Sequence, residues 1–313
     1  MTKSRPFKQV DVFTATPYLG NPLAVVLNGS GLSDDEMQHF AHWTNLSETT
    51  FVLPPTAQAA AQGAHYRVRI FTPGAELPFA GHPTLGSCHA WLQSQAPDFV
   101  APQELVQECT KGLIRIRKEG ARLAFAAPTI TRTTPGPALL AKVVDALGLQ
   151  TQQVLGAQLL DNGPMWLTLL LDSAQTVLQL KPDHSALKFL GQKVGLAHVD
   201  RALGAPELIT RSNREARAFG TRTSGIQPAT ERSQVTVRAF AAPVGVDEDP
   251  VTGSLNASLA QWLIADGLAP AHYIATQGQC LGRFGQVYIS QDATGQVWVG
   301  GDVATCIDGQ VVL

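Results

Sequence analysis

Apolar and polar residues alternate with period two through FKQVDVF (7–13), and NPLAVVL (21–27) is a near-continuous apolar run. Both predict strands, with the glycine and prolines of TPYLGNP (16–22) supplying the turn between them. The period then lengthens. Met37, Phe40, Ala41 and Trp43 or Thr44 recur at helical spacing through LSDDEMQHFAHWT (32–44). Ser33 is placed to cap that helix and Glu36 completes a capping box. ETTFVLPP (48–55) reads as a strand closed by two prolines, and HYRVRIFTP (65–73) alternates again before the helical TLGSCHAWLQ (84–93). Beyond it, PALLAKVVDALG (137–148) carries proline at its first turn and glycine past its end, the usual asymmetry of a helix. MWLTLLLD (165–172), QVTVRAF (234–240) and GQVYIS (285–290) predict strands, and GSLNASLAQWLIADG (253–267) predicts a helix closed by Gly267.

Strands and helices interleave throughout, and the pattern repeats at long range. YRVRIF (66–71) resembles VTVRAF (235–240), pairing Arg69 with Arg238 and Phe71 with Phe240. HPTLGS (82–87) falls without a gap on DPVTGS (249–254), an offset of 167 residues. That match pairs Gly86 with Gly253 and Ser87 with Ser254, and puts His82 and Asp249 in one slot. GNPLAVVL (20–27) has a looser echo in NGPMWLTLLL (162–171). Solenoid repeats run to 20–50 residues, so this period indicates a duplicated domain.

The repeated turn has chemical content. The first amides of a helix lack internal partners and carry partial positive charge. Gly86–Ser87 and Gly253–Ser254 are therefore expected to offer NH groups and a hydroxyl to an anion. If two halves pack about a pseudo-twofold axis, both turns face one cleft. Each candidate also has a plainer reading. His82 alone is a turn histidine bonded to a carbonyl, Asp249 an N-cap carboxylate, and Glu48 a strand-entry or capping carboxylate. The shared slot is what joins His82 and Asp249 as a pair. Gly81 would let a ligand approach, and Pro83 would stiffen the helix entry.

Composition narrows the classes. The 313 residues carry a net charge of −2, which gives no electrostatic case for nucleic acid or an anionic membrane. RSNREAR (211–217) reads as a solvated turn or strand edge. The N-terminus has no apolar core of a signal peptide, and no window approaches 18 uninterrupted apolar residues. Cys88, Cys109, Cys280 and Cys306 lie far apart without a CxxC pair, which suits reduced thiols in a cytoplasm. No phosphate-binding glycine motif is present, and His39, His42, His82 and His89 lack the partners and spacing of a metal site. No cofactor and no metal are expected.

NLSETTFVL (45–53), FTPGAELPFAGHPTLG (71–86) and DEDPVTGS (247–254) closely resemble the phenazine-biosynthesis isomerase (PhzF-like) family. FKQVDVFTATPYLGNPLAVVL (7–27) and QGQCLGRFGQVYIS (277–290) extend the likeness over nearly the whole chain. The resemblance implies a diaminopimelate-epimerase-like α+β fold: two similar halves, each a small β-barrel around a central helix, usually in a homodimer. Residues 1–128 would form the N-terminal half, joined by a returning strand 303–313, and 129–302 the C-terminal half, with the active site between them. It implies a cofactor-independent isomerase moving a proton between carbons of a small carboxylate-bearing metabolite. Glu48 would be the acid/base, with His82, Asp249 and Ser254 the other polar groups at the substrate. The chemistry agrees, because a base that removes a carbon-bound proton works best when desolvated, and Leu46 and TTFVL flank Glu48. trans-2,3-Dihydro-3-hydroxyanthranilate is the leading specific substrate, and TSGIQPATERSQ (223–234) is expected to tune the choice. Two-thiol epimerisation is disfavoured because neither repeated turn holds a cysteine. A binding protein that kept the fold and lost the reaction is the non-enzymatic alternative.

Overall fold

A computed structural model describes residues 2–200 and 234–313, so RSNREAR and nearly all of TSGIQPATERSQ lie outside the described residues. The first run of elements is β1 (Ser4–Val12), β2 (Asn21–Val26), α1 (Asp34–Thr44), β3 (Thr49–Leu53), α2 (Ala57–Ala61), β4 (Tyr66–Phe71), β5 (Glu76–Leu77), α3 (Gly81–Gln93), β6 (Glu104–Cys109), β7 (Gly112–Glu119) and β8 (Arg122–Ala126). The second is β9 (Thr131–Thr133), α4 (Pro137–Ala146), β10 (Val154–Asp161), β11 (Met165–Leu171), α5 (Ala174–Gln179), α6 (His184–Leu190), β12 (Val194–Val199), β13 (Val235–Phe240), α7 (Gly253–Ala265), β14 (His272–Gln277), β15 (Gly285–Gln291), β16 (Val297–Gly301) and β17 (Val303–Val312).

The pairing repeats. β1–β2 is antiparallel, β2–β3 parallel, β3–β4 antiparallel, β4–β6 parallel, and β6–β7 and β7–β8 antiparallel. The run β10, β11, β12, β13, β14, β15, β16 goes through the same order of antiparallel and parallel pairs. Strands β8 and β16 pair across the two runs, so all the strands join one mixed sheet. β17 turns back to pair along all of β1. The result is a sheet-dominated α+β fold.

Each run holds one 13-residue helix, α3 or α7, ahead of the strand that closes its second parallel pair. Both are buried on nearly all sides, which a helix tolerates only when apolar or small residues surround its axis. α1 differs, because only Met37, Phe40 and Ala41 are buried, and the expected capping box forms between Ser33 and Glu36. One large core runs through both helices and the sheet, including Val10, Leu23, Leu85, Phe125, Val237, Leu255 and Val299. Smaller cores lie beneath α4–α6 and beneath α1. Among the described residues, no helix is long and apolar enough to cross a membrane.

The sequence predicted a helix from Thr84, but α3 begins at Gly81. Three residues earlier is nearly a full turn, and this moves the helix start away from Gly86 and Ser87. Gly86 is interior, where a Cβ would lie 2.6 Å from Leu23 Cδ2 and 3.0 Å from Val10 and Val12 side-chain carbons. Its role is to let α3 sit close against β1 and β2. Ser87 is buried and donates to Thr50 Oγ1 at 2.9 Å. Neither residue offers a free helix-start amide, so their assignment to substrate binding is corrected to packing.

Candidate active site

The two buried helices meet head to head. A Cβ on Gly81 would lie 2.9 Å from Gly253 Cα, and a Cβ on Gly253 would lie 2.9 Å from Gly81 Cα. Any side chain at either position collides with backbone, so glycine is dictated by this approach. Ala80 and Thr252 precede the helices, and neither caps its helix with a side chain. Two positive helix ends, with uncapped first-turn amides, therefore converge at one point.

This meeting point corrects the internal alignment. ELPFAG (76–81) matches EDPVTG (248–253), an offset of 172 residues that brings Gly81 onto Gly253 and His82 onto Ser254. Asp249 then corresponds to Leu77, so His82 and Asp249 do not share a slot. The gapless match failed because 9 residues separate Phe71 from Gly81 and 12 separate Phe240 from Gly253. The arginine pairing does hold. Arg69 clamps Glu76 with two hydrogen bonds of 2.8 and 2.6 Å, and Arg238 clamps Glu248 with two of 2.9 and 2.8 Å. Each guanidinium also lies over the following phenylalanine, at 5.0 Å for Phe71 and 4.9 Å for Phe240.

His82 and Asp249 still come together, through a residue the sequence analysis did not single out. Asn21 Nδ2 donates to Asp249 Oδ1 at 2.9 Å and to Val251 O at 2.9 Å, and lies 3.4 Å from His82 Nδ1. Asn21 owes its placement to the turn before β2. Gly20 N donates to the buried Asp11 Oδ2 at 3.0 Å, and a Cβ on Gly20 would lie 2.2 Å from Val12 O. Asp249 is also held by Thr252 Oγ1, which donates to Oδ2 at 2.6 Å. Gln277 braces the same loop, donating to Asp249 O and Thr252 Oγ1 at 2.9 Å each and accepting Thr252 N at 3.1 Å. The only hint of Asn21 in the sequence was the asparagine in the loose echo of GNP and NGP. Gln277 gave none.

Glu48 enters from the loop before β3. Its Oε2 lies 3.3 Å from His82 Nε2, with the two side chains 15% and 5% exposed. The contact lacks hydrogen-bond alignment, so both atoms are buried without a partner. Burial first, and the charge of Asp249 second, push the Glu48 carboxyl up to about 8. Burial likewise raises Asp249 to about 6 against its hydrogen bonds from Thr252 and Asn21. The imidazole of His82 is driven down to about 3 by burial, so it is neutral at working pH. Lys193 was also missed. It is half-buried, and its charge opposes the rise at both acids.

Ser254, second in α7, accepts at Oγ from Trp166 Nε1 at 3.2 Å, while its carbonyl accepts from Asn162 Nδ2 at 2.9 Å. The structure thus gathers Glu48, His82, Gly81, Asp249, Gly253 and Ser254, and leaves out Gly86 and Ser87. Cys88 lies inside α3, fully buried with its thiol pushed up to about 12, so it supplies no thiolate here. Among the described residues, no group of His, Cys, Asp and Glu is arranged to hold a metal ion.

The comparisons extend over the same span. Antisense-enhancing sequence 1 of Schizosaccharomyces pombe is 33% identical over 97% of both chains. The trans-2,3-dihydro-3-hydroxyanthranilate isomerase of Pseudomonas aeruginosa is 30% identical over 97% of this chain and 98% of its own. The phenazine biosynthesis protein of the PhzF family from Bacillus anthracis superposes with a TM-score of 0.76 at 20% identity, covering 99% and 100% of the two chains, and shares the fold. The family model described as phenazine biosynthesis-like protein, PhzC-PhzF, matches residues 10–309, and the chain belongs to that family.

Proposed function

We propose that this chain is a cofactor-independent isomerase in which Glu48 moves a proton between two carbons of a small carboxylate-bearing metabolite. The observation that carries the reading is the pair of buried, unpartnered atoms Glu48 Oε2 and His82 Nε2, 3.3 Å apart beside two converging helix starts. Buried polar atoms are ordinarily satisfied, and orphans aimed at one space are what a ligand would satisfy. In its ionised form Glu48 is a strong base for a carboxylate, because burial disfavours its charge. It takes the proton from a C–H bond, the electron pair spreads into the substrate's unsaturation, and the same carboxyl returns the proton to a second carbon. Neutral His82 donates from Nε2, and Asp249, fixed by Asn21 and Thr252, accepts from the substrate. The convergent amides at Gly81, Gly253 and Ser254 favour negative charge.

The repeated pairing order supports two pseudo-symmetric β-barrels, one formed by 1–128 with 303–313 and the other by 129–302, with this site between them. A cytoplasmic homodimer is part of the same reading, in keeping with four unpaired cysteines. trans-2,3-Dihydro-3-hydroxyanthranilate is the leading substrate, because a relative of that name aligns over nearly the full chain. The test is proton NMR in deuterated buffer, with wild type and Glu48→Gln mixed with that compound and a panel of small cyclic amino and hydroxy acids. Isomerisation or deuterium uptake that disappears in Glu48→Gln supports the scheme and identifies the substrate class. Uptake that persists unchanged moves the base elsewhere. Ligand binding without exchange favours the non-catalytic alternative.

A further inference from the structure

Lys193 stands beside the acid pair, and the proton-transfer scheme leaves it unused. Its backbone is fixed at the entry to β12, where its carbonyl accepts Leu167 N at 2.9 Å and Val194 pairs with Leu167 of β11. The side chain is half-buried, with Nζ 5.8 Å from the centroid of the Trp166 ring. That indole in turn donates to Ser254 Oγ, so lysine, tryptophan and the start of α7 form one continuous wall. Its ammonium acts on both Glu48 and Asp249.

Among the described residues, Lys193 Nζ makes no hydrogen bond and no ion pair. A cation drawn partly out of water is expected to be paired, and an indole face offsets only part of that cost. The nearby acids do not complete it. Among the described residues neither forms an ion pair with Nζ, and burial raises both carboxyls towards their neutral forms. On the same wall, α7 begins without a side-chain cap. An ammonium without a hydrogen-bond or ion-pair partner beside an uncapped helix start is the complement of an anion.

We propose that Lys193 is a specificity-determining residue whose ammonium, together with the Ser254 hydroxyl and the first amides of α7, seats the substrate's carboxylate. This rests on the isomerase reading only for the word substrate, since anion binding is measurable without turnover. Once paired with that carboxylate, Lys193 no longer favours ionised Glu48, so a bound anion strengthens the base.

The experiment is titration calorimetry at pH 7 with two probes, 3-hydroxyanthranilate and its primary amide. Wild type is expected to prefer the carboxylate by about tenfold or more, as for a charge-assisted contact. Lys193→Met, which keeps an apolar stem over Trp166, is expected to lose most of that preference with its melting temperature unchanged. Lys193→Arg is expected to restore it, which a purely structural role would not require. No preference in wild type, including binding of neither probe, overturns the proposal, as does a preference retained in full by Lys193→Met. A preference lost in Lys193→Met alongside silent deuterium exchange would overturn the isomerase reading and leave the anion seat standing. Glu48-dependent exchange with the preference intact would do the reverse.

Discussion

At the scale of single residues, the site is governed by what burial does to three ionisable groups. Glu48 has its carboxyl raised from 4.5 to about 8, so it binds a proton in the folded state at pH values where the unfolded chain has released it. The linkage sign follows: that stabilisation is complete below pH 4.5 and is lost as pH rises through about 8. His82, lowered to about 3, works in the opposite direction, so only a difference measurement isolates Glu48. Melting curves of Glu48→Gln and wild type are expected to diverge steadily from about pH 4.5, the variant being the more stable, and to run parallel above about pH 8. On the same grounds kcat/KM of wild type is expected to climb towards pH 8, because the base must be ionised in the free enzyme. A flat profile between pH 6 and 8 would remove Glu48 from the base role. Asn21 is the other decisive residue. Asn21→Ala strips a donor from Asp249 and Val251 O at once, which should cost about 1–3 kcal/mol in chemical denaturation.

At the scale of elements, the site exists because two helices can start almost in contact. Gly81→Ala or Gly253→Ala puts a methyl 2.9 Å from opposing backbone, where no rotamer can relieve it. Either substitution should force the helix starts apart and lower kcat/KM on the order of a hundredfold, since misplacement of about 1 Å can cost that much. Gly86→Ala offers a control, because its clash is with the Leu23 side chain and should appear mainly as lost stability. The two arginine clamps give a second comparison between elements. Arg238 and Glu248 are 6% and 7% exposed, whereas Glu76 opposite Arg69 is 32% exposed. Glu248→Gln is expected to destabilise by about 3–5 kcal/mol, leaving a buried guanidinium without its charge partner. Glu76→Gln should cost about 1 kcal/mol or less. Equal losses by urea titration would show that burial is not what distinguishes the clamps.

At the scale of the whole molecule, the β8–β16 pairing and the return of β17 to β1 tie the early and late parts of the chain together. Strand β17 pairs with β1 over its full length, and Lys3 and Leu313 close the end with reciprocal backbone bonds of 2.6 and 3.0 Å. Removing residues 303–313 would open nine residues of β1 to solvent along that edge. The truncated chain is expected to aggregate or to melt well below wild type, while the full chain unfolds in one calorimetric transition. Two separated transitions would mean that the shared sheet and the helix contact do not couple the two runs.

Much of this was written in local pattern. Periodicity in 32–44, 137–148 and 253–267 marked α1, α4 and α7, because caps, prolines and glycines act within a few residues. The strand repeat around Arg69 and Arg238 was equally plain, and Glu48, His82 and Asp249 could be named from motifs. The sequence by itself therefore determined the family, many of the elements and the acids that the fold then brings together. Tertiary structure decided how they meet. It showed that α3 starts at Gly81, since only the Gly81–Gly253 approach and the three-residue difference in loop length reveal the true register. It brought in Asn21 and Lys193, which the sequence did not single out and which act through partners distant in the chain, Asn21 on Asp249 and Lys193 on Glu48. Hydrogen bonds and charge act through space, and a residue's neighbours in space are set only when the chain has folded.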